Sequence, residues 1–225
     1  MRFKLTPLWH RSWQRAIYIV NPYNSSDPSF YEFTTPINKG HEAMAYLTYI
    51  IDHYNSSLPS VIAFLHSHRQ GFFKAWHVDA PLHDNVLAMR SLQLDFVVQS
   101  GYVNLRCNLN PGCNKGFKRR KPRVNGEVWH EIFGTTLLTS ETSQNTTAEE
   151  LASLQQDRER TKYIDIGVAS ACCAQFAVSR DQVWKRPLED YIRIRQWVMD
   201  TDRDDANSGR VMEYLWHVIF GKDLV

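Results

Sequence analysis

Val61-Ile-Ala-Phe-Leu65 is an apolar run that passes directly into His66-Ser-His68-Arg69. A short apolar segment that stops abruptly at polar residues reads as a buried strand. Upstream of it, Pro59 closes the segment 38–55, where Met44, Leu47, Ile51 and Tyr54 recur at helical spacing. Before that helix stands another β-rich run, Ala16-Ile-Tyr-Ile-Val20, stopped by Asn21-Pro22. Strand, helix and strand in this order form the βαβ pattern, which predicts a parallel sheet.

Further along, residues 85–98 read as a helix and 128–133 as a helical turn or two. Thr147-Ala-Glu-Glu150 is a capping box that opens a polar helix running to 160. Residues 171–178 read as an inner strand. Residues 187–200 form an amphipathic helix with Leu188, Tyr191, Ile192, Arg195 and Val198 on one stripe. The last helix, 209–220, is closed by Gly221. The expectation is one α/β catalytic domain, 1–225, with a mostly parallel central sheet flanked by helices. Within it, 114–161 reads as an insertion or mobile region.

The chain is 225 residues long and 43% hydrophobic, which excludes a disordered chain. Its net charge of +2 cannot draw the whole molecule onto nucleic acid, so any such attraction must be local. No apolar run approaches the ~20 residues needed to cross a membrane. The first fifteen residues lack the order of a signal peptide, so a cytoplasmic protein is expected. Its four cysteines then default to reduced thiols, and no C-x2-C pair marks a zinc site. Three Asn-x-Ser/Thr sequons, at Asn24, Asn55 and Asn145, carry no meaning without secretion.

Three clusters carry chemistry. The last helix is apolar around most of its circumference, yet Arg210, Glu213 and His217 share one narrow stripe. A carboxylate in that setting must be paired or shift its pKa. Two readings stand: a structural pair with Arg210, or an anionic socket for a cationic ligand. The second cluster follows the 61–65 strand: His66, His68, His77, Asp79, His83 and Asp84. Ligands of open α/β sheets bind beyond the carboxyl ends of strands, and histidines there suit acid–base work near neutral pH. A metal at these histidines, or a plain His-rich surface loop, are the competing readings. The third is Lys115-Gly-Phe-Lys-Arg-Arg-Lys-Pro-Arg123, in which six of nine residues are basic. It fits a phosphate backbone, or is a solvated loop. Serine-hydrolase, NTPase and dinucleotide motifs are absent, and Cys172 and Cys173 read as packed core thiols.

Several blocks resemble a fungal family of unknown-function domains: Asn38-Lys-Gly-His-Glu-Ala-Met-Ala-Tyr-Leu-Thr-Tyr-Ile-Ile51, Phe64-Leu-His-Ser-His68, Trp76-His-Val-Asp79, Gly101-Tyr-Val-Asn-Leu-Arg-Cys107, Cys172-Cys-Ala-Gln-Phe-Ala-Val-Ser-Arg180 and Ser208-Gly-Arg-Val-Met-Glu-Tyr-Leu-Trp-His217. The resemblance runs from about 16 to 221 and is weakest over 125–161. Members of that family include arginine-containing cyclodipeptide synthases. The resemblance therefore implies an aminoacyltransferase that joins arginine from arginyl-tRNA to a second aminoacyl group and releases a cyclic Arg-Xaa diketopiperazine. It also implies a Rossmann-like, GT-A-like fold. It brings no cofactor and assigns no metal ligand.

On this reading Glu213, with Asp79, recognises the arginyl side chain, and His68 or His77 is the general base, with His66 and His217 beside them. Asn38, Lys39 and Glu42 bind the substrate backbone or the terminal adenosine, with Arg210 also against substrate. Lys115, Lys118, Arg119, Arg120, Lys121 and Arg123 grip tRNA. The partners are arginyl-tRNA and a second aminoacyl-tRNA, with no membrane and an undefined oligomeric state. A GT-A-like glycosyltransferase is the alternative, although no D-x-D follows an inner strand; Asp200-Thr-Asp202-Arg-Asp204 has the spacing in the wrong place. A noncatalytic RNA-binding module is the third.

Overall fold

The computed structural model describes residues 13–20, 33–69, 77–108, 124–134, 156, 162, 166–171 and 173–224. Among them, five short strands make two sheets. Strand β1 (Tyr18–Ile19) pairs in parallel with β2 (Phe33–Thr34). Strands β3 (Val61–Phe64), β4 (Tyr102–Asn104) and β5 (Phe176–Ser179) form the other sheet, in the order β3-β5-β4. Seven α-helices complete the described residues: α1 (Glu42–His53), α2 (Asn85–Ser91), α3 (Leu94–Ser100), α4 (Gly126–Phe133), α5 (Arg180–Val183), α6 (Leu188–Asp200) and α7 (Asp205–Ile219).

Among the described residues the sheets are small and mixed, one parallel pair and one antiparallel triple, in place of a mostly parallel central sheet. β5 runs antiparallel to both neighbours, with Val61 opposite Ser179 and Tyr102 opposite Val178. β1 takes β2 as its partner, so the strand–helix–strand segment 16–65 is not one paired βαβ unit. The apolar run at 61–65 identifies a buried strand, but which edge it pairs with is decided by a strand more than a hundred residues later.

β5 is the middle strand and all four of its residues are buried. It is shorter than the apolar run 171–178 because Cys173 (φ 88°) and Ala174 (φ 44°) turn the backbone out of the extended region. Phe176 meets Phe64, Tyr102, Trp216 and Phe220, all with ring centroids within 5.4 Å of it. Against this aromatic centre pack α1 (Met44, Leu47, Ile50), α6 (Tyr191, Ile194, Val198) and α7 (Met212, Leu215). The apolar stripe of α6 is thus Tyr191, Ile194, Trp197 and Val198, whereas Ile192 faces solvent. The predicted 85–98 helix is two helices, because Leu92 and Gln93 are extended. The span read as an insertion contains α4, whose Val128 and Ile132 are completely buried, so that part belongs to the core. The 147–160 helix lies outside the described residues except for Gln156. Among the described residues no helix is long and apolar enough to cross a membrane.

The join before α1 is strained. Gly40 (φ 76°) and His41 (φ 53°) both lie in the left-handed region. A Cβ on Gly40 would stand 2.4 Å from Val198 Cγ1 on α6. Gly40→Ala therefore combines a left-handed penalty of roughly 1–2 kcal/mol with overpacking of roughly 1–3 kcal/mol. Urea denaturation is expected to show a loss of about 2–5 kcal/mol; a loss under about 1 kcal/mol would mean that the α1–α6 contact yields easily.

Candidate functional site

The polar groups gather where β3 ends. A buried amide pair holds the chain there. Gln175, completely buried just before β5, accepts the His66 backbone N–H through Oε1 at 2.7 Å. Its amide nitrogen donates to Asn85 Oδ1 at 2.9 Å. Asn85, on the first turn of α2, donates in turn to Gln175 Oε1 at 3.2 Å and to the His68 carbonyl at 2.8 Å. Asp84 caps the same helix by accepting from Val86 N and Leu87 N, and it meets Arg69 at 3.4 Å. The segment 66–69 is thereby fastened at three points, although it is not regular secondary structure.

Three imidazoles come together beside this clamp. The ring centroids of His66 and His77 are 4.3 Å apart, those of His68 and His77 4.7 Å, and those of His66 and His68 5.6 Å. One nitrogen from each lies within 4.8 Å of the other two, a spacing that a single ion can close. Burial, with His66 adding to it, pushes the His68 imidazole below its usual range and favours its neutral form.

Glu42, at the first turn of α1, approaches His66 Nε2 at 3.7 Å, and both side chains are largely buried. Burial alone would raise the Glu42 carboxyl, but His66, with His41, holds it below the ordinary carboxylate range. One turn on, Tyr46 is buried with a hydroxyl that makes no hydrogen bond. Burial, with Glu42 adding to it, raises that phenol well above its ordinary value.

α7 supplies the opposite wall. Glu213 is bound by Arg210 at 2.6 Å, so the structural pairing is present. The pair is lopsided: 16% of the Glu213 side chain is exposed against 47% of Arg210. Burial raises the Glu213 carboxyl above its ordinary value despite Arg210, and Glu42 raises it further. Glu42 and His66 thus both bear on the Glu213 carboxyl, Glu42 raising it and His66 lowering it. His217 is displaced from this pair and contacts the Leu224 carbonyl at 3.4 Å; burial lowers its pKa.

The remaining sequence-predicted residues sit elsewhere. Asp79 is exposed and accepts the Cys107 and Asn108 backbone N–H groups at 2.6 and 2.9 Å, which ties down the loop after β4. Lys39 donates to the Met199 and Thr201 carbonyls and closes the end of α6. Asn38 is exposed. The start of α1 is already held by a carboxylate: Asp205 accepts from His41 N at 3.0 Å, with His41 Nε2 3.3 Å away. Gly209 makes room for this, since a Cβ there would lie 2.8 Å from the His41 ring. In the Asp200-Thr-Asp202-Arg-Asp204 run, Asp200 accepts from Gln196 and Asp204 caps α7. Lys115, Lys118, Arg119, Arg120, Lys121 and Arg123 lie outside the described residues, as do Trp76 and Cys172. Cys173, expected as a reduced core thiol, is disulfide-bonded.

Gln175, Asn85 and Tyr46 escape the sequence reading. The one available signal for Gln175 is an amide in the middle of the apolar run Ala171-Cys-Cys-Ala-Gln-Phe-Ala-Val178. A buried amide in such a run needs a partner. Among known proteins, a family model described as "Protein of unknown function (DUF3431)" matches residues 6–225. No curated protein matches, and no solved structure does.

Proposed function

The chain belongs to the DUF3431 family, and from that premise we propose that it is a tRNA-dependent cyclodipeptide synthase that takes arginine from arginyl-tRNA. The observation that carries this reading is a largely buried carboxylate, Glu213, whose partner Arg210 is half exposed. A buried carboxylate favours a cation, and a planar guanidinium meets a carboxylate in bidentate fashion. Arg210 pairs with Glu213 now, and its half-exposed side chain can swing into water when a substrate guanidinium arrives.

The chemistry follows from an ester that is already activated. The α-amine of one aminoacyl group attacks the carbonyl carbon of the other. A C–N bond forms, the C–O bond to the tRNA ribose breaks, and the ribose oxygen leaves with a proton. A neutral imidazole, His68 or His77, removes the proton from the attacking amine. The new dipeptidyl ester then closes on itself by the same step and releases the second tRNA. The basic run 115–123 supports binding of tRNA phosphates.

The test is reconstitution of pure protein with total tRNA, synthetases, amino acids and ATP, read by mass spectrometry of small molecules. A cyclo-Arg-Xaa mass that disappears when arginyl-tRNA synthetase is omitted supports the proposal. Charged tRNAs with no dipeptide product would overturn it. Neutralising the six basic residues of 115–123 is expected to weaken aminoacyl-tRNA use more than tenfold and to flatten its salt dependence. Unchanged activity and salt slope would remove that run from the tRNA contact.

Two observations favour a second reading, metal-dependent glycosyl transfer. The histidine cluster can close on an ion. The Cys173 disulfide suits an oxidising compartment better than the cytosol. Divalent-metal-dependent consumption of a nucleotide sugar would establish this reading in place of the first.

A further inference from the structure

We infer that His66, His68 and His77 form a three-histidine binding site for a divalent metal of the zinc class. A bound ion would occupy imidazoles that the aminoacyl-transfer reading uses as free bases, so the site is tested by metal content and not by activity. It starts from convergence: His66, His68 and His77 place one nitrogen each within 4.8 Å of the other two. Around zinc, with Zn–N bonds of ~2.0–2.1 Å, tetrahedral ligand nitrogens stand about 3.3 Å apart. Closing the cluster therefore takes roughly 1 Å of side-chain movement, without rearrangement of the backbone.

Burial and chemistry support the same assignment. Nε2 of His66 and Nε2 of His68 are buried and make no hydrogen bond. A buried polar atom left in that state costs about 1–3 kcal/mol. A cation shared among imidazoles relieves that cost where a packed core does not. The donor set is all nitrogen, which suits zinc, copper or nickel and not magnesium or calcium. Three protein ligands leave one position open, the arrangement of reactive and not structural zinc sites.

Glu42 stands 3.7 Å from His66 Nε2, so a cation bound at that nitrogen has a carboxylate beside it. Gln175 and Asn85 lock the backbone at His66 and His68.

The experiment needs no substrate. Full-length protein is stripped with a chelator, dialysed against Zn2+, freed of loose metal by gel filtration and assayed for zinc by mass spectrometry. One equivalent per chain is expected for the wild type. His68→Ala and His77→Ala are expected to lower affinity at least tenfold, while His53→Gln, at the far end of α1, retains the metal. Co2+ loading of the wild type is expected to give the intense visible absorption of a tetrahedral nitrogen site, a readout that survives even if a variant misfolds. Wild-type protein that keeps less than a tenth of an equivalent of zinc and shows no such Co2+ spectrum would overturn the site. So would zinc retention that is unchanged in the folded His66/His68/His77 triple variant. Neither result depends on aminoacyl or glycosyl transfer.

Discussion

Glu213→Gln is expected to cut arginine incorporation roughly a hundredfold, because truncating one partner of a buried charge pair typically costs 2–5 kcal/mol and each 1.4 kcal/mol is tenfold. The same variant is expected to be as stable as the wild type or more so. Burial, with Glu42 adding to it, raises the Glu213 carboxyl against the pull of Arg210. A carboxyl raised on folding contributes stability that is complete below its ordinary value of 4.5 and is lost as pH rises through the folded value. At neutral pH the wild type therefore carries an unfavourable charge that glutamine removes. Arg210, half exposed, remains solvated without it. The expected pattern is a melting temperature at pH 7.5 equal to or a few degrees above wild type, with the difference closing near pH 4.5. A fall in melting temperature at neutral pH would show that the Arg210–Glu213 pair holds the fold. Undiminished arginine incorporation would remove Glu213 from the recognition of substrate.

Gln175→Leu carries the largest expected effect on stability. It leaves the His66 N–H without its acceptor and both polar ends of the Asn85 amide without their Gln175 partners. Unsatisfied buried groups cost about 1–3 kcal/mol each, so a loss of roughly 3–5 kcal/mol is expected against a typical total of about 5–15. Urea denaturation measures it. Any zinc affinity and transferase activity are expected to fall together, since the segment 66–68 loses its anchor. A loss under about 1 kcal/mol would mean that the space refills, and the amide clamp would then not be what positions the histidines.

Much of the local structure is legible in the sequence. Helices α1, α6 and α7 and strand β3 appear close to where periodicity and the Gly and Pro stops place them, because each is decided by its own residues. Pairing is not legible in that way. The sheet is antiparallel because β5, far along the chain, enters between β3 and β4, and no local pattern announces a partner at that distance. The late start of β5 at Phe176 is equally hidden, since Cys173 and Ala174 adopt left-handed backbone that apolar side chains do not signal. At the site, His66, His68, His77 and Glu213 stand out as polar residues in apolar surroundings. Asp79, named with the polar cluster after the strand, and Lys39, named at the start of the first helix through the resemblance, instead bind backbone groups, because a charge near a loop or a helix end has ready partners there. Residue type and spacing could not separate these two fates.

The Gln175 bond to His66 spans 109 residues. Closing a loop of that length costs entropy before the bond repays it, so the bond forms with the sheet and not ahead of it. Glu42, the histidines and Glu213 come from early, middle and late parts of the chain and converge only when all three are docked. A ligand bound there is consequently coupled to the global unfolding equilibrium, and it should slow hydrogen exchange in β3 and β5 as much as at the pocket rim.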